Sequence, residues 1–244
     1  MKSVSIIIPC YNCENSILND IKKILKKIKK TRLGFEIILI NDGSEDSTID
    51  KLRLSLRFSK KIKIINFSEN KGKSFVIRKA ITKSKYNHII MIDNNLPYFE
   101  VFNTIIKKLK KNYDLVLVNR RNKKSSFKKK SFSIYQVLRF LIGYTISLII
   151  KYSLKLDIDG CDTQAGLKGF KKIKNFKNIN FISKIFFYDL ELIFAYYKLD
   201  KKIFSVPVKY EIPNKSSIKI FSIGRNLAIM HELFSVILNL KRIY

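Results

Sequence analysis

Glu36-Ile37-Ile38-Leu39-Ile40-Asn41-Asp42-Gly43-Ser44-Glu45-Asp46-Ser47-Thr48 decides the fold. The apolar run from Phe35 to Ile40 is of strand length and carries no polar alternation, so it reads as a strand buried on both faces. It stops at a polar tip, Asn41-Asp42-Gly43-Ser44. Asp46, Ser47 and Thr48 then supply N-cap chemistry for a following helix. Strand, polar tip, capped helix is the unit from which parallel sheets are built.

The same unit recurs on either side. Val4 to Ile8, Ile62 to Phe67, His88 to Ile92 and Leu115 to Val118 read as further buried strands. Helical patterns fill the intervals at about Ser16–Lys30, Ser47–Leu56, Lys73–Ser84 and Phe99–Lys111. The alternation predicts an α/β fold with a mostly parallel sheet flanked by helices. Such sheets bind ligands outside the carboxyl ends of their strands. Four of those ends are polar here: Pro9-Cys10-Tyr11-Asn12, Asn41-Asp42-Gly43-Ser44, Asp93-Asn94-Asn95 and Asn119-Arg120-Arg121, the last leading into the basic loop Asn122 to Lys130.

The second half changes character. Phe132 to Leu156 is apolar with sparse Lys and Arg and reads as one or two helices, either buried or lying in an interface. Asp157 to Phe170 reads as a loop and short strand, Tyr188 to Lys198 as a helix, Ile203 to Tyr210 as a strand and Phe221 to Leu240 as a terminal amphipathic helix. With no internal repeat and no Pro- or Gly-rich linker, the 244 residues read as a single domain.

Composition sets limits but selects no partner. The formal net charge of +30 favours anionic partners, namely nucleic acid, an acidic membrane surface or phosphate-bearing substrates. Much of the excess is Lys in a chain rich in Ile and Asn, which nucleotide bias in the coding sequence also produces. Three cysteines, Cys10, Cys13 and Cys161, argue against a disulfide scaffold and suit a reducing compartment. The opening apolar run is too short for a signal peptide. Ile134 to Ile150 is interrupted by Gln136 and Arg139 and closed by Lys151, short of the roughly 20 apolar residues that a bilayer requires. The expectation is a peripheral protein on the cytoplasmic face of a membrane.

Several local motifs lead elsewhere and fail. Gly72-Lys73-Ser74 suggests a phosphate loop, but the glycine required five positions earlier is Phe67. Cys10-x-x-Cys13 follows a strand as redox pairs do. The intervening Tyr11-Asn12 nevertheless suits a ligand loop. His88 and His231 read as structural, and the lysine runs between Lys22 and Lys30 and from Lys107 to Lys111 as solvated helix faces.

The ordered succession of motifs resembles family 2 glycosyltransferases. Ser5-Ile6-Ile7-Ile8-Pro9-Cys10-Tyr11-Asn12-Cys13-Glu14 is similar to their "VIPAYNE" opening, and Glu36 to Thr48 to their "EIIVVDDGSTDGT" segment. Asn70-Lys71-Gly72-Lys73 with Arg78 resembles their "N-x-GKG-x-A-x-R" element, and Asp93 stands at their "DxD" strand end. Asp162-Thr163-Gln164-Ala165-Gly166-Leu167-Lys168, Tyr188-Asp189-Leu190-Glu191-Leu192, Val206-Pro207-Val208 and Ser216-Ser217 resemble elements of the subgroup that makes dolichyl- or polyprenyl-phosphate sugars.

The resemblance implies the GT-A nucleotide-diphospho-sugar transferase fold and inverting transfer of a sugar to a polyprenyl phosphate. It implies that residues 1–120 form the nucleotide-sugar-binding half. Residues 121–220 form an acceptor half with interfacial helices at 132–156, and 221–244 is a terminal helix. Pro9, Tyr11, Glu14, Asp42, Lys73 and Asn94 then face the nucleotide-sugar. Asp93 and Asn95 hold Mg²⁺ or Mn²⁺, hard ions suited to oxygen ligands. Arg120, Arg139 and Lys130 meet the acceptor phosphate, and Asp162 with Arg120 forms the catalytic pair. A phosphate monoester has its second pKa near ~6 and needs positioning more than a base. A separate membrane protein is a further implied partner.

Departures are specific. "DxD" reads Asp93-Asn94-Asn95, Pro97 stands where some relatives have a metal-side Gln, Ser74 replaces the second glycine of "GKG", Lys79-Ala80 stands where Arg-Gly is common, and "VNRR" replaces "GSR". They imply altered donor preference and a weakened metal site. The alternatives are the same chemistry on a saccharide or other soluble acceptor, a basic nucleic-acid-binding protein, and a non-catalytic membrane-surface protein. Nucleic acid is not expected as a partner, because the aromatics fall inside apolar runs rather than among exposed basic residues.

Overall fold

In the computed structural model, residues 1–128, 132–158, 162–174, 176, 181–212 and 223–243 are described. Five strands follow the apolar runs: β1 (Ser3–Cys10), β2 (Gly34–Asp42), β3 (Ile62–Phe67), β4 (His88–Ile92) and β5 (Leu115–Asn119). Later come β6 (Ser126–Phe127), β7 (Leu167–Lys171), β8 (Ile203–Pro207) and β9 (Lys209–Tyr210). The main sheet has the order β3-β2-β1-β4-β7-β5-β8, and β6 and β9 form a separate short ribbon. The predicted strand from Ile203 to Tyr210 is thus split at Val208, its two parts joining different sheets.

Period-two alternation divides the sheet residues between two cores. Ile7, Ile38, Ile40, Ile89 and Met91 face one layer, while Ile6, Ile8, Ile37, Leu39, Ile90 and Ile92 face the other. All are essentially inaccessible. Burying each such side chain stabilises the fold by about 1.5–3 kcal/mol. On the second face lie α1 (Ile17–Lys29) and α4 (Phe102–Lys110), and on the first α3 (Lys73–Lys83) and α6 (Tyr188–Lys198). α1 shows the logic plainly: Ile17, Ile21, Ile24, Leu25 and Ile28 point inward at helical spacing, and its lysines point outward. The remaining helices are α2 (Thr48–Ser55), α5 (Ile134–Leu154) and α7 (Ile223–Ile243).

β7 runs antiparallel to both of its neighbours, β4 and β5. An antiparallel strand enters the sheet from the edge at which its parallel neighbours leave it. The segment preceding β7, Asp162 to Gly166, is therefore delivered to the carboxyl ends of β4 and β5. Asp93 N donates to Gly166 O at 2.8 Å and fixes that approach.

The stretch read as one or two helices is a single helix, α5. Gln136 does not interrupt its outer face. It turns inward as half of a capping box with Ser133 and donates to Ile212 O at 2.5 Å. Ile134, Val137, Leu138, Leu141 and Ile142 line the exposed side of α5, and Leu227, Phe234 and Leu238 are exposed on α7, which packs beside it. By length and composition alone α5 could cross a membrane. At 21 residues and about 1.5 Å each it is roughly 30 Å long.

Candidate active site

Sheet order reverses around β1, which has β2 on one side and β4 on the other. The crevice outside this switch point is where open α/β sheets place ligands. The pairing of β1 with β4 stops at Ile7, so Pro9 and Cys10 run on beside β2 alone. Proline lacks an N–H and is tolerated where the ladder has ended.

The loops after β1 and β2 are laced together. Asn12 N donates to Ser44 Oγ (3.0 Å) and Glu45 N to Asn12 Oδ1 (2.9 Å). Cys13 N donates to Thr48 Oγ1 (2.8 Å), and Ser47 N to Glu14 Oε2 (2.9 Å). Of the three residues expected to supply N-cap chemistry for α2, Asp46 does so, its carboxylate accepting from Thr48 N at 3.0 Å; the Ser47 side chain makes no cap bond, and its amide donates to Glu14. Tyr11 is left projecting, 43% exposed. Gly43 is required: its φ is +64°, and a Cβ there would strike the backbone of Glu69 and Asn70.

Asp42 is buried and accepts from Lys71 N at 2.7 Å. Burial pushes its pKa up, opposed by the Lys71 and Gly72 amides. The Gly72 turn at φ +91° lies against Lys184 O. Ser74, replacing the expected glycine, is fully buried, pairs with Ser183 Oγ at 2.8 Å and accepts from Tyr188 N at the start of α6. Arg78 donates to Ser183 O. Loop 181–187 is held from below by two carboxylates: Glu191 accepts from Ile182 and Ser183, and Glu232 of α7 from Lys184, Ile185 and Phe186.

At the tip of β4, the ammonium of Lys73 lies 2.8 Å from both oxygens of Asp93. Burial lowers the Lys73 pKa, but Asp93 and Asp189 outweigh it and hold it above the usual lysine range. Gly166 lets loop 162–166 close over this pair, since a Cβ there would lie 2.6 Å from Asp93 Oδ2. Behind them the buried Lys168 and Asp189 are 2.5 Å apart. Burial depresses Lys168, and the neighbouring Lys73 adds to that effect. Asn94 is half-buried and Asn95 exposed; the amide of Asn95 donates to Asp20, a carboxylate buried on the apolar face of α1. No group of three or more His, Cys, Asp or Glu is gathered among the described residues. One carboxylate beside amide oxygens suits an ion that completes its shell with phosphate oxygens and water, not one caged by protein.

At the tip of β5, Asp162 accepts three bonds from Arg120: Nε and backbone N to Oδ2 (2.7 and 2.9 Å) and Nη2 to Oδ1 (2.7 Å). Burial pushes Asp162 up, but the guanidinium outweighs it and keeps the carboxyl below its usual range. The same pairing raises Arg120. Two prongs of the Arg120 fork are therefore committed to Asp162. Tyr98 and Arg139 of α5 lie close enough to Arg120, and to each other, to interact electrostatically. Lys130, Cys161, Ser216 and Ser217 lie outside the described residues.

Asp93, Lys73, Asp162 and Arg120 are thus brought to one edge of the sheet, with the loops carrying Tyr11, Glu14 and Asp42 beside them. Residues not foreseen are Arg121, Tyr98, Asp20, the Lys168–Asp189 pair and Glu232. Asp20 had a legible signal, a carboxylate in phase with Ile17, Ile21 and Ile24.

Comparison with known proteins fits this geometry. A dolichyl-phosphate beta-glucosyltransferase of Dictyostelium discoideum is 29% identical, covering 92% of this chain and 71% of that protein. An uncharacterized glycosyltransferase of Synechocystis sp. is 32% identical over 53% of this chain, which spans only 41% of that relative's length. Among solved structures, glucosyl-3-phosphoglycerate synthase from Mycobacterium tuberculosis, in complex with Mn²⁺, uridine diphosphate and phosphoglyceric acid, superposes with a TM-score of 0.69 at 14% identity, covering 98% of this chain and 78% of that one. The fold is accordingly GT-A-like. The pattern of glycosyl transferase family 2 matches residues 5–167, and the chain belongs to that family.

Proposed function

We propose that the protein transfers a sugar, with inversion, from a nucleotide-diphospho-sugar to a polyprenyl phosphate at a membrane surface. One observation carries this reading: the charged edge of the sheet adjoins α5, whose outward face is apolar and exposed over most of its length. An acceptor with an isoprenoid tail stays in the bilayer, and an apolar helix beside the reacting groups brings the enzyme to it. The likeness to the Dictyostelium discoideum dolichyl-phosphate enzyme over nearly the whole chain supports the same acceptor class.

In this reading Pro9, Tyr11 and Glu14 wall the nucleotide pocket, and Asp42 accepts from the base or ribose. Lys73 and Asn94 face the diphosphate. A divalent ion held by Asp93 and Asn95 would supply positive charge to the departing diphosphate. The acceptor phosphate oxygen attacks the anomeric carbon as the bond from that carbon to the nucleoside diphosphate breaks. The incoming dianion needs no strong base, so Asp162 serves by fixing Arg120, whose charge, with those of Arg139 and Lys130, draws the phosphate in.

The test is transfer of radiolabelled sugar from a panel of nucleotide-sugars to a short polyprenyl phosphate, with Mg²⁺, Mn²⁺ or chelator. Labelled lipid from one donor, lost on chelation, is the expected result. Transfer only to a soluble acceptor, or none from protein that binds vesicles, would overturn it.

A further inference from the structure

Arg121 follows Arg120 at the tip of β5, yet its surroundings are opposite in kind. Its guanidinium packs on α5: the carbon at its centre lies 5.9 Å from the ring centroid of Phe140 and 5.5 Å from that of Tyr144. Gly143 lies between those two residues in the sequence, and a Cβ added there would stand 3.2 Å from Arg121 Nη2, so the missing side chain leaves the guanidinium room against the helix. Its Nε and Nη1 are buried and have no hydrogen-bond partner among the described residues. Asp162, the nearest carboxylate to affect it, gives both of its oxygens to Arg120.

Buried guanidinium donors left unmet on a half-buried arginine are unfavourable until an anion accepts from them. Three features specify that anion. The fork of Arg suits a phosphate better than a single-point acceptor. The flanking rings belong to the helix whose outer face carries Leu138, Leu141 and Ile142, so the charge sits where an apolar chain would lie beside it. Arg120, the neighbouring cation, is neutralised within the fold, which leaves Arg121 as the less compensated charge at this corner.

The geometry points to Arg121 as the group that hydrogen-bonds the phosphate monoester of a lipid lying along α5, with Arg120, held by Asp162, adding its charge without a direct contact. Gly143, Phe140 and Tyr144 form the seat that holds the guanidinium ready. The inference rests on the proposed acceptor class and assigns its phosphate to a residue outside the family's "GSR" position.

Two measurements separate this inference from the reading beneath it. The first is cosedimentation with vesicles containing phosphatidic acid, a phosphate monoester, or phosphatidylglycerol, a diester, at matched surface charge. Wild type should bind the monoester vesicles at least several-fold more tightly. Arg121→Gln should abolish that preference, Arg121→Lys should keep part of it, and free inorganic phosphate should compete weakly with the vesicles. The second is sugar transfer: Arg121→Gln should raise the KM for polyprenyl phosphate at least tenfold while leaving the KM for the donor unchanged, and unchanged donor binding also shows that the variant is folded. Monoester preference equal in Arg121→Gln and wild type would overturn the inference, as would displacement by inorganic phosphate at the concentration of the lipid. If wild type shows the preference but transfers nothing to polyprenyl phosphate, the phosphate seat stands and the acceptor reading falls.

Discussion

Two ion pairs stand at the carboxyl edge of the sheet, and they are built differently. At the tip of β5, Asp162 is nearly inaccessible and takes three bonds from Arg120, two of them in a fork. At the tip of β4, Asp93 and Lys73 each keep more than a quarter of their side-chain surface exposed and meet through a single ammonium. The first pair is directional and its carboxylate is dry; the second is a point charge set beside a carboxylate in reach of solvent. Arginine's planar fork fixes geometry, whereas lysine's flexible stem lets its charge move. The difference separates a frame from an exchangeable contact, and it puts the exchangeable one where a diphosphate and its counter-ion would arrive.

The largest expected effect breaks the frame. Asp162→Ala removes a buried carboxylate that accepts three charge-assisted hydrogen bonds from Arg120 and should cost about 3–5 kcal/mol in chemical denaturation. A cost below about 1 kcal/mol would show that the pair does not hold the β5 tip. A carboxylate without a cation in contact sharpens the contrast. Burial pushes Glu191 up to about 7, against the pull of the Ile182 and Ser183 amides. Its folded pKa exceeds its unfolded value of about 4.3, so its contribution is fully present below that value and is lost as pH rises toward 7. At about 1.4 kcal/mol per unit this amounts to about 4 kcal/mol. Glu191→Gln should remove that decline, measured as thermal stability between pH 4 and about 8. Asp162 behaves oppositely: its contribution is present above about 3.9 and lost as pH falls through its depressed value. The smallest effect on stability belongs to Lys73→Met, within about 1 kcal/mol because the pair is partly exposed. Its cost should appear instead as weaker nucleotide-sugar binding by calorimetry, and unchanged affinity would remove Lys73 from the donor site.

The strand tips were legible because an apolar run that ends in Asn, Asp or Arg needs no tertiary knowledge to interpret. β3 and β4 match the predicted ranges, and α6 does as well. What could not be read depends on which strand lies beside which. Nothing local in Leu167 to Lys171 says that it runs antiparallel between β4 and β5, and that placement buries Lys168 against Asp189. The hold of Glu14 on the Ser47 amide, from more than thirty positions away, has no local signal either. Arg120 and Arg121 are identical in type and adjacent in the chain, and only the arrival of Asp162 and α5 assigns them different surroundings.

The placement of β7 also orders events in time. Strands β1 to β4 find partners among themselves within the first 92 residues, and the parallel pair β5 and β8 forms the other side of the sheet. Among the described residues β4 and β5 have no ladder in common, and β7, whose last residue is 171, stitches the two sides together. Pairings so distant in sequence close late, because loop-closure entropy is lost before any contact compensates it. During synthesis the unpaired edge of β4 must therefore wait for nearly eighty further residues, from 92 to 171, to leave the ribosome, and the strand that closes it is the one that carries Asp162 and Gly166 into place. Completing the sheet and completing the candidate site are a single folding event.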